Sequence, residues 1–122
     1  MRLHLTSAES HNLITGYGAD FIEINQQRYA QNVLVLADSV FDDWHAGKFE
    51  DLVEKSFNQI LELKPEVVLL GTGETHRFLH PKIIRNLIES GIPLECMTTA
   101  AACRTYNILM SEGRNVVAAL IL

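Results

Sequence analysis

The sequence is poor in cysteine, in long apolar runs and in basic charge, and each shortage excludes a class of protein. Its 122 residues include two cysteines, Cys96 and Cys103, without CxxC spacing, so two reduced thiols are expected rather than a disulfide framework. The longest wholly apolar stretch, residues 116–122, is far shorter than the roughly 20 residues that a membrane-spanning helix needs. The formal net charge is −5, whereas general nucleic-acid binding requires a basic surface. The sequence therefore predicts no membrane span and no nucleic-acid partner.

The N-terminus and the composition are typical of a cytoplasmic globular protein. Residues 1–6 have neither the apolar core of a secretion signal nor the Arg/Ser-rich bias of a transit peptide. Hydrophobic residues make up 48% of the chain and charged residues 20%, which argues against intrinsic disorder. The length suits one domain covering residues 1–122.

The first forty residues carry the pattern of short antiparallel strands. Residues 13–18, 21–24 and 28–36 are apolar-rich or alternating, and residues 25–27 are suited to a turn between two of them. Gly16 and Gly18 predict a bend or bulge in the first strand. From Phe49 to Leu61 the apolar residues recur at helical spacing, which predicts a helix that Lys64-Pro65 ends.

The second half alternates between strand and helix. Strands are predicted over residues 66–70, 92–97 and 116–122, and helices over residues 81–89 and 99–112. This order indicates an α/β fold: a single domain with a mostly parallel central sheet, helices on its faces and an N-terminal antiparallel β elaboration.

The loops that follow two parallel strands form the candidate ligand site. Ligands of open parallel sheets bind outside the carboxyl ends of the strands, and here residues 71–77 and 97–104 meet at that edge. The glycines could expose backbone N–H groups, Thr98 or Thr99 could cap the next helix, and an arginine could complete an anion site. The candidate residues are Gly71, Thr72, Gly73, Glu74, Arg77, Thr98, Thr99 and Arg104.

The glycine pattern also fits a plain strand-to-helix turn. Gly71-x-Gly73 lacks the third glycine of a dinucleotide-binding fingerprint and the GK[ST] of a phosphate-binding loop. Both interpretations stay open at this point.

No catalytic residue, metal site or cofactor is predicted. Arg104 could lower the pKa of Cys103, but no histidine is placed by sequence to act as its base, so a small buried thiol is favoured. Glu74 is a lone carboxylate and does not make an acid/base pair. His76 and His80 are four residues apart, but Pro81 moves His80 out of helical geometry, which makes a metal pair doubtful.

Four segments of the sequence resemble a known family. They are the Gly71-Thr72-Gly73 loop, the helix residues from Cys103 to Asn107 within Ala-Cys-x-Thr-Tyr-Asn, the Glu112-Gly113-Arg114 turn, and the closing Ala-Ala-Leu-Ile strand. The resemblance is to a small family of uncharacterised bacterial and archaeal α/β domains of the Mth type, related to the mitochondrial NADH dehydrogenase (complex I) alpha subcomplex assembly factor three. The resemblance implies a three-layer α/β fold with a mixed, mostly parallel central sheet and an added antiparallel ribbon, and it implies no established catalytic residues.

The resemblance favours a non-enzymatic interaction module over an enzyme. The hypothesis is an accessory or assembly factor for a respiratory or other membrane-associated complex, with a protein partner. The alternative is a small-anion or metabolite binding protein, or an enzyme, that uses the cleft between residues 71–77 and 97–104. A third hypothesis is a homo-oligomer that associates through the β-rich N-terminal half. The sequence names neither the partner nor the ligand.

Overall fold

The computed structural model describes residues 11–122 of the chain. Residues 1–6, whose composition underlies the predicted cytoplasmic location, lie outside the described residues. Three short strands form an antiparallel ribbon in the order β1-β2-β3, and five form a second, mixed sheet in the order β5-β4-β8-β6-β7. The strands are β1 (Ile14–Tyr17), β2 (Ile22–Ile24), β3 (Gln27–Tyr29), β4 (Val33–Leu36), β5 (Ser39–Phe41), β6 (Val67–Gly71), β7 (Leu94–Met97) and β8 (Val116–Leu120).

The five-stranded sheet is the centre of the fold. Strand β6 pairs in parallel with both β7 and β8, and β4 and β5 extend the sheet from β8 as antiparallel strands. Successive side chains of β6 alternate between the two faces, so that Leu69 packs into one core and Leu70 into the other. This burial on both faces explains why the strands are continuous apolar runs, and it confirms the predicted mixed α/β layering.

One face of the sheet is covered by the ribbon and by helix α3 (Thr99–Ser111). The turn between β2 and β3 has positive φ at Asn25 (50°) and Gln26 (69°), as a two-residue hairpin turn matched to strand twist requires. The register of β1 against β2 shifts between Ile14 and Gly16, which confirms the predicted irregularity in this strand.

Asn107 and Tyr106 of α3 hold the ribbon in place. The Asn107 side chain accepts a hydrogen bond from the Ile14 N–H at 2.9 Å and donates one to the Ile14 carbonyl oxygen at 2.8 Å. The Tyr106 hydroxyl donates to the Asn12 carbonyl oxygen at 2.8 Å. The amide of Asn107 thus takes the place of a neighbouring strand along β1.

The other face is covered by short helical segments. They are the 3₁₀ turns Phe49–Asp51 and Glu54–Phe57, helix α1 (Asn58–Leu63) and helix α2 (Arg85–Glu89). The prediction of one continuous helix from Phe49 was wrong, because Leu52 and Val53 are extended, with ψ of 131° and 173°. Two local hydrogen bonds stabilise the break: Asp51 Oδ2 accepts from Lys48 N, and Ser56 Oγ accepts from Val53 N, both at 3.0 Å.

The predicted strand segment over residues 28–36 is two strands, β3 and β4, which belong to different sheets because the chain leaves the extended conformation at residues 30–32, and β5 lies outside the predicted strands. The boundaries of the later elements agree with the sequence to within a few residues. The predicted helix over residues 81–89 is a turn followed by α2, and α1 ends before Lys64, which has φ of 51°. Proline at position 65 disfavours right-handed helical geometry at this residue. Within residues 11–122, no helix is long and apolar enough to cross a bilayer.

Candidate functional site

The carboxyl ends of β6, β7 and β8 meet at one edge of the central sheet. Ile121, just after β8, donates its N–H to the Gly71 carbonyl oxygen at 3.0 Å, and Thr72, just after β6, donates its N–H to the Met97 carbonyl oxygen at 2.8 Å. The sequence prediction that residues 71–77 and 97–104 share an edge therefore describes the backbone arrangement correctly.

Thr99 links three loops at this edge. Its hydroxyl donates to the Ile121 carbonyl oxygen at 2.6 Å and accepts from the Gly73 N–H at 2.9 Å, while its own N–H donates to the Gly73 carbonyl oxygen at 2.9 Å. The residue is only 8% exposed. Its polar groups are satisfied inside the protein, which fixes the loops against one another.

Gly71 is a glycine because α3 approaches the end of β6 too closely for a side chain. A Cβ at this position would lie 2.9 Å from both Cα and Oγ1 of Thr99, and 3.1 Å from Leu120 Cδ2. Gly73 has open space around it but a φ of 97°, which L side chains rarely adopt. Gly71 is therefore explained by close packing and Gly73 by its positive φ.

The start of α3 is capped from within the chain, and of the two threonines that the sequence offers as caps, Thr98 is the one that serves. The Thr98 hydroxyl accepts from the Ala101 N–H at 3.2 Å, and the Thr98 carbonyl oxygen accepts from Ala102 N at 2.9 Å. The Thr72 hydroxyl is also used internally, at 2.7 Å from the Thr75 carbonyl oxygen. Many of the hydrogen-bond donors and acceptors at the strand ends therefore bond to one another and hold the loops together.

Two adjoining clefts lie over this edge. The first, which we call the strand-end cleft, has a volume of about 300 Å³ and mostly apolar walls. The second has a volume of about 420 Å³ and a larger polar share. Of the candidate residues, the strand-end cleft is lined by Gly73, Glu74, Thr98 and Thr99, and the second cleft by Thr72, Gly73, Glu74 and Arg77.

The two candidate arginines do not converge. Arg77 lies 3.1 Å from the Glu50 carboxylate and stacks over the Phe49 ring at 5.3 Å from its centroid. A backbone hydrogen bond lowers the pKa of Glu50, and Arg77 lowers it further. Arg104 instead donates to the hydroxyl of Tyr17, a residue that lines the strand-end cleft, at 3.0 Å. Arg77 lines the second cleft but is paired with a carboxylate. Arg104 is not among the described residues that line either cleft.

Cys103 is a buried, protonated thiol. It is 1% exposed, and desolvation raises its pKa to about 12, although the neighbouring Arg104 opposes this shift. The thiolate, which is the nucleophilic form, is therefore very rare at neutral pH, and the buried-thiol interpretation is confirmed. His76 and His80 are exposed, and residues 11–122 hold no cluster of three or more side chains suited to a metal ion.

Sequence reasoning missed much of the cleft lining. The end of β8 contributes Ile121 and Leu122, which the rule about parallel strand ends could have found, because β8 ends at the same edge. Tyr17, Gly18 and Ala19 come from the ribbon, and Lys48 and Glu50 from the 3₁₀ region. No local pattern in the sequence indicates that those segments fold over the strand ends.

Known proteins with similar sequences include two of particular interest. NADH dehydrogenase [ubiquinone] 1 alpha subcomplex assembly factor 3 from Bos taurus is 36% identical over 88% of this chain, and the chain spans 59% of the length of that relative. The 13 kDa major membrane protein of Francisella tularensis is 32% identical over 76% of this chain and 76% of its own length.

The fold is shared with solved structures. A protein from Bordetella parapertussis superposes with a TM-score of 0.86 and 39% identity, covering 92% of this chain and 96% of the other. These similarities confirm, for family and fold, the resemblance to the assembly-factor relatives that the four sequence segments indicate. A family model described as "Protein of unknown function (DUF498/DUF598)" matches residues 14–121, and the chain belongs to that family.

Proposed function

We propose that this chain is a protein-interaction module that works as an accessory or assembly factor for a respiratory or other membrane-associated complex. The similarity to bovine assembly factor 3 supports such a role, since it extends over 88% of the chain. The word "membrane" in the name of the Francisella relative is consistent with action at a membrane surface. The proposal includes the predicted cytoplasmic location. It also keeps the prediction that residues 1–122 form one domain.

An exposed apolar surface beside β7 is the observation that carries the proposal. Phe78 is 79% exposed and Ile88 is 57% exposed, and Leu79, Ile84 and Leu94 lie next to them around two shallow clefts. We call these five residues the β7-side surface. Contiguous apolar patches of this kind mark interaction sites more often than scattered apolar residues do.

The proposal predicts that Ile88→Glu separates the protein from its complex. A chromosomally tagged chain should co-purify from its own host with specific subunits of a membrane complex. A charge placed in a buried apolar contact should reduce the recovery of these subunits by at least about tenfold. Quantitative mass spectrometry of cross-linked, gently solubilised membranes measures this recovery.

Ile108→Glu is the matched control. Ile108 is also 57% exposed, but it lies on α3, on the opposite face of the central sheet. Its substitution should leave the recovery unchanged, and both variants should keep the wild-type melting temperature. Equal losses in the two variants, or a wild-type preparation without specific subunits, would count against the proposal.

The strand-end cleft supports a second candidate function, the binding of a small metabolite. The cleft has largely apolar walls with Glu74 and Thr98 at its margin, the composition that small-molecule sites commonly have. Native mass spectrometry of the gently purified protein should then show a stoichiometric adduct that is lost in Ala100→Trp, which fills the cleft. A bare chain contradicts this candidate.

The same spectra test the hypothesis that the chain forms a homo-oligomer through its β-rich N-terminal half. A mass that corresponds only to the monomer contradicts that hypothesis.

A further inference from the structure

The central sheet has two lateral edges, the outer sides of β7 and β5. The two edges are built differently. Val68 donates its N–H to the Pro93 carbonyl oxygen and Thr72 donates to that of Met97. In a parallel pair, every second residue of a strand bonds to the same neighbouring strand. Residues 93, 95 and 97 therefore bond to β6, and Leu94 and Cys96, which lie between them, direct their N–H and C=O groups away from β6. Among residues 11–122, no backbone hydrogen bond reaches these groups from a loop or helix.

The opposite edge, β5, has no charged residue of its own but is flanked by three carboxylates. Asp38 precedes this strand, and Asp42 and Asp43 follow it. Charged side chains at an edge discourage the addition of another strand. Strand β7 carries a single charged residue, Glu95, between Leu94 and Cys96.

The free edge of β7 is continuous with apolar clefts. One cleft of about 340 Å³ is lined by Phe78, Leu79, Ile84 and the three residues 94–96. Because Glu95 points to the opposite face from its two neighbours, a cleft lined by all three lies along the edge itself. A second cleft, of about 550 Å³, continues from Ile84 and Leu94 to Ile88.

The charge at this edge defines the complementary partner. Glu95 is exposed and has no ion-pair partner within residues 11–122. Its neighbour on the inner side is Leu69 of β6. A strand added on the outer side would place a side chain directly beside the Glu95 carboxylate, where a lysine or arginine would form a favourable cross-strand pair.

We infer that the β7 edge binds an extended segment of a partner protein in which a basic residue alternates with apolar residues. The segment adds a sixth strand to the sheet. Its backbone bonds to Leu94 and Cys96, its apolar side chains enter the clefts beside Phe78 and Ile84, and its basic side chain pairs with Glu95. This inference rests on the proposed interaction function and names the chemistry of the partner segment.

The test uses a defined probe and the whole chain. The probe is a fluorescein-labelled seven-residue peptide of alternating valine and lysine, N-methylated on alternate residues so that only one of its edges can form hydrogen bonds. Fluorescence anisotropy gives the dissociation constant. At a peptide concentration about ten times that constant, hydrogen exchange of the Leu94 and Cys96 amides should slow by about tenfold.

A charge exchange tests the role of Glu95. Glu95→Lys should weaken binding of the lysine peptide by about fivefold and strengthen binding of the corresponding glutamate peptide by a similar factor. Glu112→Lys makes the same change in net charge at an exposed position after α3 and should leave both affinities unchanged. Circular dichroism checks that both variants fold.

Three results would overturn the inference. The first is the absence of protection at Leu94 and Cys96 at millimolar peptide. The second is equal binding of the two peptides by both the native chain and Glu95→Lys. The third is protection of these amides that grows with protein concentration without peptide, which would make a second copy the occupant. If co-purification persists while the peptide fails, the proposed function stands and its partner docks elsewhere.

Discussion

Replacing Tyr106 with alanine is expected to lower the free energy of unfolding by about 3–5 kcal/mol, the range for deleting a large buried aromatic ring. Tyr106 has no exposed surface and lies in the core that joins α3, the ribbon and the central sheet. The substitution removes the ring from that core and leaves the Asn12 carbonyl oxygen without its donor. Urea denaturation, followed by the fluorescence of the single, buried Trp44, measures the change.

Tyr106→Phe separates the contribution of the ring from that of the hydroxyl group. It keeps the packing and removes only the 2.8 Å hydrogen bond to Asn12, so we expect a loss of about 1 kcal/mol. A loss below about 1 kcal/mol in Tyr106→Ala would contradict the packing of α3 against the ribbon.

Stability should fall steeply above pH 9. Burial raises the pKa of Cys103 from 9.0 to about 12, so between these values the unfolded chain loses a proton that the folded chain keeps. Because the unfolded state then binds fewer protons, the free energy of unfolding decreases by about 1.4 kcal/mol per pH unit. This contribution is fully present below pH 9 and is lost, to a total of about 4 kcal/mol, as the pH approaches 12. Tyr106, whose pKa burial also raises from 10.0, adds a second loss above pH 10.

Urea denaturation at a series of pH values from 7 to 11 measures this dependence. In Cys103→Ala the curve between pH 9 and 10 should become shallower but not flat, because burial also raises the pKa of Cys96 above 9.0. The variant is less stable at pH 7 because a buried side chain is shortened. An unchanged slope in Cys103→Ala would show that other groups cause the alkaline loss. A wild-type stability that is constant up to pH 11 would contradict the burial of both groups.

The sequence by itself determined the elements whose signals are local. Continuous apolar runs predicted β6 and β8, and the proline at position 65 predicted the end of α1. A threonine cap for α3 was also expected, at position 98 or 99, and the structure assigns it to Thr98. The strand-end rule brought residues 71–77 and 97–104 to the correct edge. Cys103 could be assigned to the core because it lies among small residues of an amphipathic helix. Each of these inferences depends on a few neighbouring residues, and so the information is present in short stretches of sequence.

The tertiary structure alone decided what depends on residues far apart in the chain. Asn107 forms hydrogen bonds with Ile14, 93 positions away in the chain. Arg77 pairs with Glu50 and Arg104 with Tyr17, so the two arginines do not share one site. The helical pattern after Phe49 breaks at Leu52. The order of the strands, which places β4 beside β8 and leaves β7 at an edge, has no signal in the sequence of any one strand. Periodicity shows which face of a strand is buried, but the partner that buries it is selected by packing of the whole chain.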